Sequence, residues 1–390
     1  MTAMVHRLYS RLLAVPRGSF FLFGMRGTGK STWLESLGFD ALRIDLLDEG
    51  LYQRILADPS VFSGLLSNAP PGSWVFVDEV QRLPGILNDV QRFMERRRLK
   101  FALTGSSARK LKRGGTNLLA GRAIVRDMFP LLPAELGSDF DLERTLEQGT
   151  LPLVVASDPS ERIPRLRSYV QTYLKEEIQA EALVRNLGGF ARFLPVAGML
   201  NGQILSVASL ARECGVGRTT VSGFVEILKD TLLAFEVPGY EAKLRVRERK
   251  HPKLYWIDNG VARAARGDFG AVSQDERGAL FEAWVAQVLF AYRSYTDLFD
   301  DLWYWAPTEA RDVEIDFLLR RGRKLIAIEA KVGSRYRPEW RRSLQAVGAL
   351  PAVKRRIIVY GGQDVLRTPE GIEVLPERAF RELIARGNLF

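Results

Sequence analysis

Eight residues near the N-terminus have the types and the spacing that bind nucleotide phosphates. Gly24 to Ser31 reads GMRGTGKS, which matches the pattern G-x-x-x-x-G-K-[ST], and an apolar run, Phe20 to Phe23, leads directly into it. Glycines let backbone N–H groups surround phosphate oxygens, and a helix that starts near Lys30 aims its positive end at them. Lys30 is therefore predicted to bridge the β- and γ-phosphates of ATP and Ser31 to ligate Mg²⁺. Further contacts are expected from Gly24, Gly27, Thr28, Gly29 and Thr32; the alternative is a purely structural glycine-rich loop.

Two acidic residues follow a second apolar run. Ser73 to Val77 is continuously apolar after its first residue, as expected of a parallel strand covered on both faces, and Asp78 and Glu79 come directly after it. Asp78 is predicted to hold the Mg²⁺ through water, and Glu79 to polarise the attacking water. Because a protein that only binds nucleotide would not need Glu79, we expect hydrolysis.

Polar residues after a third apolar run are candidates for sensing the γ-phosphate. Lys100 to Leu103 is predicted to form a strand, and Thr104 to Ser107 follows it. Ser106 could sense the phosphate, although a plain turn accounts for these residues equally well. Arg122 and Arg126 flank a further predicted strand, and either could neutralise phosphate charge in cis or in trans.

Near the C-terminus, two carboxylates and a lysine lie on two predicted neighbouring strands. VEIDFLLRRGRKLIAIEAK is expected to place Asp316 at the end of one strand and Glu329 and Lys331 at the end of the next. A helix over Gly278 to Phe290, with Glu282 at its start, precedes them. This order is typical of a PD-(D/E)XK nuclease core.

Asp316 and Glu329 are predicted to hold Mg²⁺ or Mn²⁺, with Glu282 completing the ligand shell. Lys331 would orient the water that attacks a phosphodiester. The alternative is that these charges only keep strand edges soluble.

The middle of the chain predicts a DNA-binding fold. Pro133 to Gln203 is expected to be largely helical, and two helices follow, Val207 to Cys214 and Arg218 to Asp230. Two strands, Leu232 to Val237 and Lys253 to Ile257, would complete a winged helix-turn-helix. The predicted DNA contacts are Arg218, Thr219 and Thr220 at the start of the second helix, and the basic wing residues Lys243, Arg245, Arg247, Arg249 and Lys250. The alternative is a structural adaptor.

Composition sets bounds on the class of protein. The 390-residue chain has a net charge of +10, which favours nucleic acid or another polyanion as partner. Its single cysteine, Cys214, excludes an internal disulfide, and two histidines leave little for a zinc site. Since no signal peptide or membrane-spanning run is recognisable, we expect a cytoplasmic protein of two to four domains.

Five motifs give the chain a resemblance to a known family. FVDEVQR, LTGSSAR, GRAIVRDMFPLLPAEL, KLYWIDNGVAR and FEAWV occur in this order. The chain resembles bacterial and archaeal AAA+-type ATPases that carry a C-terminal domain of uncharacterised function. The resemblance implies an arginine in the nucleotide loop at Arg26 and a helical lid after the ATPase core.

The expected fold class is therefore α/β, with four parts. They are a P-loop AAA+-type ATPase core (1–135), a helical lid (136–205), a winged helix (206–262) and a C-terminal α/β PD-(D/E)XK nuclease-like domain (263–390). Two functional hypotheses remain open. In one, the protein is an ATP-driven enzyme that processes duplex or branched DNA, possesses a metal-dependent nuclease site and can form homo-oligomers. In the other, it is an ATP-controlled signalling or assembly switch whose nuclease-like domain is inactive.

Overall fold

The computed structural model describes residues 8–107, 109, 111, 119, 121–174, 186–241, 251–307 and 312–390. The chain forms two compact units. The N-terminal unit consists of Leu13–Pro130 and Ile227–Leu233. The C-terminal unit consists of Met1–Leu12, Leu131–Glu226 and Ala234–Phe390.

A parallel five-stranded sheet forms the centre of the N-terminal unit. Its strand order is β2-β3-β4-β1-β5, and all neighbouring pairs run parallel. Because parallel strands end at the same edge, the polar residues that follow β1, β3 and β4 are brought together. The strands are β1 Phe20–Phe23, β2 Ala41–Asp45, β3 Trp74–Asp78, β4 Lys100–Gly105 and β5 Ile124–Asp127.

In the described part of this unit, the helices with assigned bounds are α1 Lys30–Ser36, α2 Glu49–Ala57, α3 Ser60–Ser67 and α4 Leu87–Arg97. The apolar spacing from Leu83 to Arg98 predicts one helix with its stripe facing the core, and in α4 this stripe is buried at Leu87, Val90 and Phe93. The predicted start at Leu83 is wrong. Two 3₁₀ turns, Val80–Arg82 and Pro84–Ile86, come first, because a proline ring disfavours helical backbone in the residue before it.

The C-terminal unit begins with short helices, as predicted for this stretch. They are α5 Pro133–Leu136, α6 Leu142–Gln148, α7 Pro152–Val155 and α8 Arg162–Ser168, continued by a π-helical stretch Tyr169–Leu174, and then α9 Leu187–Met199. Among the described residues, no helix is long and apolar enough to cross a membrane.

A helix pair and a small antiparallel sheet follow. The two predicted helices are confirmed as α10 Val207–Cys214 and α11 Arg218–Asp230, whose last turn belongs to the N-terminal unit. Gly215 closes α10 with a left-handed backbone, φ 62°. The sheet has the order β6-β8-β7, with β6 Gln203–Ile204, β7 Ala234–Val237 and β8 Lys253–Trp256.

The C-terminal part is built on a mixed six-stranded sheet. Its order is β13-β14-β12-β11-β10-β9, and it is flanked in sequence by the helices α12 Asn259–Ala265, α13 Gln274–Thr296, α14 Arg342–Val347 and α15 Glu377–Ala385. The strands are β9 Asp301–Trp305, β10 Ile315–Arg321, β11 Lys324–Lys331, β12 Val353–Tyr360, β13 Leu366–Arg367 and β14 Glu373–Pro376.

The predicted antiparallel hairpin is confirmed, with two corrections. Asp316 is the second residue of β10, so the prediction that a strand ends there is wrong; the hairpin turn lies at Gly322, φ 58°. Glu282 lies inside α13 and not at its start, because a capping box between Ser273 and Glu276 begins the helix earlier. In β10 the buried side chains of Phe317, Leu318 and Leu319 extend the strand beyond Asp316.

Candidate functional sites

The glycine-rich loop is built around the Lys30 ammonium. Lys30 Nζ donates to the carbonyl oxygens of Gly24 at 2.7 Å and Met25 at 3.4 Å, and the side chain is buried. Thr28 Oγ1 donates to the same Met25 carbonyl at 2.8 Å. Gly29 takes a left-handed conformation, φ 85°, immediately before α1. The loop thus folds back on itself between β1 and α1, as the sequence predicts.

Three side chains from three elements meet at the end of β3. Ser31 Oγ donates to Asp78 Oδ2 at 2.5 Å, and Thr104 Oγ1 donates to Asp78 Oδ1. The pairing of β1 and β3 with β4 explains the convergence, because each strand ends at the same edge. Hydroxyl and carboxylate oxygens of this kind are the ligands that Mg²⁺ prefers, so Ser31 and Asp78 fit the ion.

Glu79 has a strained backbone and a fixed side chain. It adopts φ 56° and ψ 44°, a left-handed conformation that is costly for a residue with a Cβ. Gln81 Nε2 donates to Glu79 Oε2 and, at 3.1 Å, to Ser106 Oγ, and Gln81 is buried. The structure therefore brings Glu79 and Ser106 together through Gln81. Sequence analysis missed Gln81, although the residue lies within the FVDEVQR motif.

The other predicted phosphate contacts lie at the surface of the same unit. Arg26 and Thr32 are exposed. Arg122 forms an ion pair with Glu95 at 3.0 Å, with both side chains about half exposed (44% and 50%). Ion pairs with this exposure contribute little to stability, so exchanging Glu95 for another partner would cost Arg122 little.

The predicted DNA contacts fall into two groups. Arg218 and Thr219 are exposed and Thr220 is partly buried at the start of α11, whereas Val221 and Val225 are buried. The wing residues Lys243, Arg245, Arg247, Arg249 and Lys250 lie outside the described residues.

In the C-terminal unit, the predicted nuclease-like residues come together in one buried cluster. Asp316 Oδ2 accepts a hydrogen bond from the Ala330 amide at 2.8 Å, and Glu329 shares a side-chain hydrogen bond with Asp316. Lys331 Nζ lies 2.9 Å from Glu329 Oε2 and 4.0 Å from Asp316 Oδ2. Asp316 and Glu329 are almost fully buried, while the Lys331 side chain is 33% exposed.

Three further residues, which sequence analysis missed, complete this cluster. Lys253 Nζ lies 3.0 Å from Glu282 Oε1, 2.5 Å from Glu314 Oε1 and 4.0 Å from Asp316 Oδ1. Tyr255 Oη donates to the same Glu282 oxygen at 2.6 Å. The alternation of acids before β10 gave a signal for Glu314. Nothing near Lys253 or Tyr255 in sequence points to Glu282, which lies 29 and 27 residues further along the chain, or to the more distant acids Glu314 and Asp316.

Burial and mutual charge set the protonation of the cluster. Burial and the neighbouring Asp316 raise the pKa of Glu329 well above its ordinary value, whereas the two lysines hold the pKa of Asp316 below its usual range despite its burial. Burial and Asp316 also raise the pKa of Glu282. Burial alone would lower the pKa of Lys253, but the surrounding carboxylates outweigh it and raise that pKa. The cluster therefore favours the protonated form of Glu329 and the ionised form of Asp316, beside two ammonium groups.

Among the described residues, no three His, Cys, Asp or Glu side chains are arranged so that they could hold a metal ion together. In the C-terminal cluster, lysine ammonium groups lie between the carboxylates that would have to converge on one ion.

Comparison with known proteins divides the chain into three matched regions. Residues 17–137 match a family described as AAA domain. Residues 139–271 and 277–380 match two domains of unknown function, DUF8612 and DUF4143. The chain therefore contains an AAA-type P-loop domain, in agreement with the nucleotide motifs and the parallel sheet.

The relatives and solved structures that match this chain are distant in sequence. An uncharacterized protein of Mycobacterium tuberculosis strain H37Rv is 24% identical over 361 residues, covering 91% of this chain and 79% of that protein. An uncharacterized protein of Haemophilus influenzae is 23% identical, covering 64% and 69%. The Aeropyrum pernix ORC1 protein in complex with DNA is 14% identical, covering 65% of this chain and 88% of that chain, with a TM-score of 0.29. AMPPCP-bound DnaA from Aquifex aeolicus is 14% identical, covering 55% and 82%, with a TM-score of 0.28. TM-scores this low do not establish a shared overall fold.

Proposed function

We propose that the protein is a Mg²⁺-dependent ATPase that acts on DNA. The observation that carries the ATPase proposal is the meeting of Lys30, Ser31, Asp78 and Glu79 at one edge of a parallel sheet. The match of residues 17–137 to the AAA domain family supports it. A net charge of +10 supports the DNA part of the proposal, because a basic protein is attracted to the phosphate backbone.

Each residue of this site has a distinct proposed role. Lys30 exchanges its carbonyl partners for the β- and γ-phosphate oxygens of ATP, and Ser31 and Asp78 hold the Mg²⁺, which neutralises charge on the phosphates when bound. Glu79 accepts a proton from the water that attacks the γ-phosphorus, while Gln81 keeps its carboxylate in place. Ser106, Arg26 and Arg122 are proposed to contact the phosphates, with Arg122 acting in cis or in trans.

The test separates binding from turnover. Lys30→Ala should abolish ATP binding, since the ammonium is the main positive charge inside the loop, whereas Glu79→Gln should bind ATP and lose about 100-fold in kcat. Binding is measured by calorimetry and turnover by phosphate release. Lys100→Ala, an exposed lysine at the far end of β4, is the matched control and should change neither. Unchanged turnover in Glu79→Gln would remove Glu79 from the proposed role.

A second proposal concerns the C-terminal cluster. We infer that Asp316 and Glu329, with Glu282, are the carboxylates that would hold Mg²⁺ or Mn²⁺ in a site of the nuclease type if they converged on the ion, and that Lys331 would then orient the attacking water. The observation that favours it is the joining of Asp316, Glu329 and Lys331 on one hairpin. The competing proposal is that the cluster only stabilises an assembly module of an ATP-controlled switch. DNA cleavage by the Mn²⁺-loaded protein distinguishes the two.

A further inference from the structure

A buried lysine lies at the heart of the C-terminal acidic cluster. Lys253 is the first residue of β8 and only 3% exposed, and its ammonium faces carboxylates from two other elements and the chain that leads into β10. These are Glu282 of α13, Glu314 immediately before β10 and Asp316 within it. An ammonium and these acids can be buried together only because each compensates the other, since an isolated charge of either sign is very costly in the interior.

The Lys253 side chain is 4% exposed, whereas its partner Glu314 and the second lysine, Lys331, are each 33% exposed. Lys331 contacts Glu329 and is 33% exposed, so solvent and ions can reach the cluster there. Lys253 is fixed by more contacts: two carboxylates within 3.0 Å and the Tyr304 ring, whose centroid is 5.7 Å from Nζ. Of the two lysines, Lys253 is therefore the one whose side chain is held in a fixed position by its contacts.

Glu282 is bound in a way that competes with metal binding. Its Oε1 accepts from both Lys253 Nζ and Tyr255 Oη, so that oxygen has its hydrogen-bonding capacity filled. A divalent cation attracts the same hard oxygens that an ammonium does, but with twice the charge and shorter contacts. The two cannot share the space between Glu282, Glu314 and Asp316.

We propose that Lys253 is an internal cation that takes the place of a divalent ion in this cluster and excludes that ion from it. This inference rests on the proposed metal site of Asp316, Glu329 and Glu282, of which Glu282 lies 3.0 Å and Asp316 4.0 Å from the Lys253 ammonium. It assigns Lys253 as the residue that decides whether the site is loaded. In the protein as it stands, the ammonium supplies the positive charge that the acids require, and divalent ions bind weakly. Replacing it by a neutral side chain of similar shape leaves uncompensated carboxylates that favour Mn²⁺.

The experiment compares full-length variants in a Lys30→Ala background, which silences the ATP site. Mn²⁺ is titrated by calorimetry into this parent, into Lys253→Met, which keeps the aliphatic stem, and into Lys253→Arg, which keeps the charge. Lys253→Met should bind Mn²⁺ at least about tenfold more tightly than the parent. Lys253→Arg should bind like the parent, and adding Asp316→Ala to Lys253→Met should abolish the gain.

Thermal unfolding provides a second readout, because removing Lys253 leaves buried carboxylates unpaired. The Tm of Lys253→Met should fall in EDTA and rise again with Mn²⁺, while the Tm of the parent is indifferent to Mn²⁺. Should Lys253→Met not fold in EDTA, refolding by Mn²⁺ supports the inference, and failure of both Lys253→Met and Lys253→Gln to fold with Mn²⁺ overturns it.

Two further results have different meanings. A parent that binds Mn²⁺ as tightly as Lys253→Met, in both cases through Asp316, overturns the role of Lys253 and leaves the metal site intact. Well-folded variants that all fail to bind Mn²⁺, or that bind it independently of Asp316, overturn the metal site and the inference with it.

Discussion

At the scale of single residues, the proposed ATPase site contains a strained backbone at Glu79. Glu79 has φ 56° although it is not glycine, and a left-handed conformation costs a side-chain-bearing residue about 1–2 kcal/mol. Its carboxylate is held by Gln81, which also binds Ser106. The strain turns the chain sharply after Asp78, so that two consecutive acids can serve different purposes, one beside Ser31 and the other beside Gln81. Strain of this kind is typical of functional positions.

This strain predicts that at Glu79 a glycine replacement is more stable than an alanine replacement, which is the reverse of the order in a regular helix. Glu79→Gly should be more stable than Glu79→Ala by about 1 kcal/mol, because only glycine adopts this backbone without cost. Both should lose ATP turnover to a similar extent, since both lack the carboxylate. Urea denaturation measures the stability difference. In the regular helix α4 the order should reverse, with Glu95→Ala more stable than Glu95→Gly by about 1 kcal/mol. Equal stabilities of the two Glu79 variants would contradict the strained backbone.

Residues that act through sequence motifs could be predicted, whereas residues that act through tertiary contacts could not. Lys30, Ser31 and Asp78 lie in short patterns whose spacing reflects a loop and a strand end. Gln81 and Lys253 are defined by what surrounds them. Lys253 meets its partners only after a helix, a strand and a hairpin have folded, and a basic residue in a basic stretch predicts a solvated side chain.

At the scale of elements, the helices α6 and α12 of the C-terminal unit pack closely against each other. The carboxylate of Asp258 caps α12 by accepting from the Val261 amide at 3.0 Å and also accepts from the Thr150 amide at 2.7 Å, just beyond α6. Gly260 lies so close to the end of α6 that a Cβ there would be 2.0 Å from the Gln148 carbonyl oxygen. The sequence WIDNG thus serves as a cap and a close packing point at once.

Gly260→Ala should therefore destabilise the C-terminal unit. The added methyl group meets backbone atoms, which cannot rotate away, and the expected loss in the free energy of unfolding is about 1–3 kcal/mol. Gly278→Ala is the matched control, because that glycine lies in helix α13 with nothing within 4 Å of a new Cβ. It should gain roughly 0.5–1 kcal/mol. Thermal unfolding of both variants checks the opposite signs, and a neutral Gly260→Ala would contradict the close approach.

Elements were predictable where apolar periodicity extends over their whole length. The helices α10 and α11 and the hairpin of β10 and β11 agree with the sequence because their buried faces follow regular spacing. The residues at which helices and strands begin and end were less predictable. The sequence predicts element boundaries at Asp316 and Glu282, yet both lie inside their elements. Asp316 is buried beside Lys253, which the polarity of a single residue does not reveal. Glu282 lies inside α13 because the capping box of Ser273 and Glu276 begins the helix earlier.

At the scale of the whole molecule, the DNA-processing enzyme and the signalling switch differ in the role that each gives to the net positive charge of the chain. A DNA-processing enzyme binds phosphates through specific basic residues, so its ATP turnover responds to DNA. A signalling switch with a solvated basic surface shows weak, non-specific binding and no stimulation. The wing residues and the exposed start of α11 are the proposed contacts, and turnover with and without duplex or branched DNA discriminates the hypotheses.

Neutralising the wing should separate specific contacts from overall charge. Arg245, Arg247 and Arg249 changed together to Gln should weaken DNA binding and flatten the slope of log K against log salt by about one unit for each bound phosphate that no longer has a basic partner. The control is a second triple variant with the same net charge as the wing variant. Its three Arg→Gln changes are at exposed arginines elsewhere in the C-terminal unit, Arg342, Arg378 and Arg386. It should keep most of the slope, because exposed charges beyond about a Debye length, 8–10 Å, from the DNA are screened. Fluorescence anisotropy with a labelled duplex across a salt series measures both. Equal reductions in the two triple variants would mean that overall charge attracts DNA, and an unchanged slope in the wing variant would assign the wing to an adaptor.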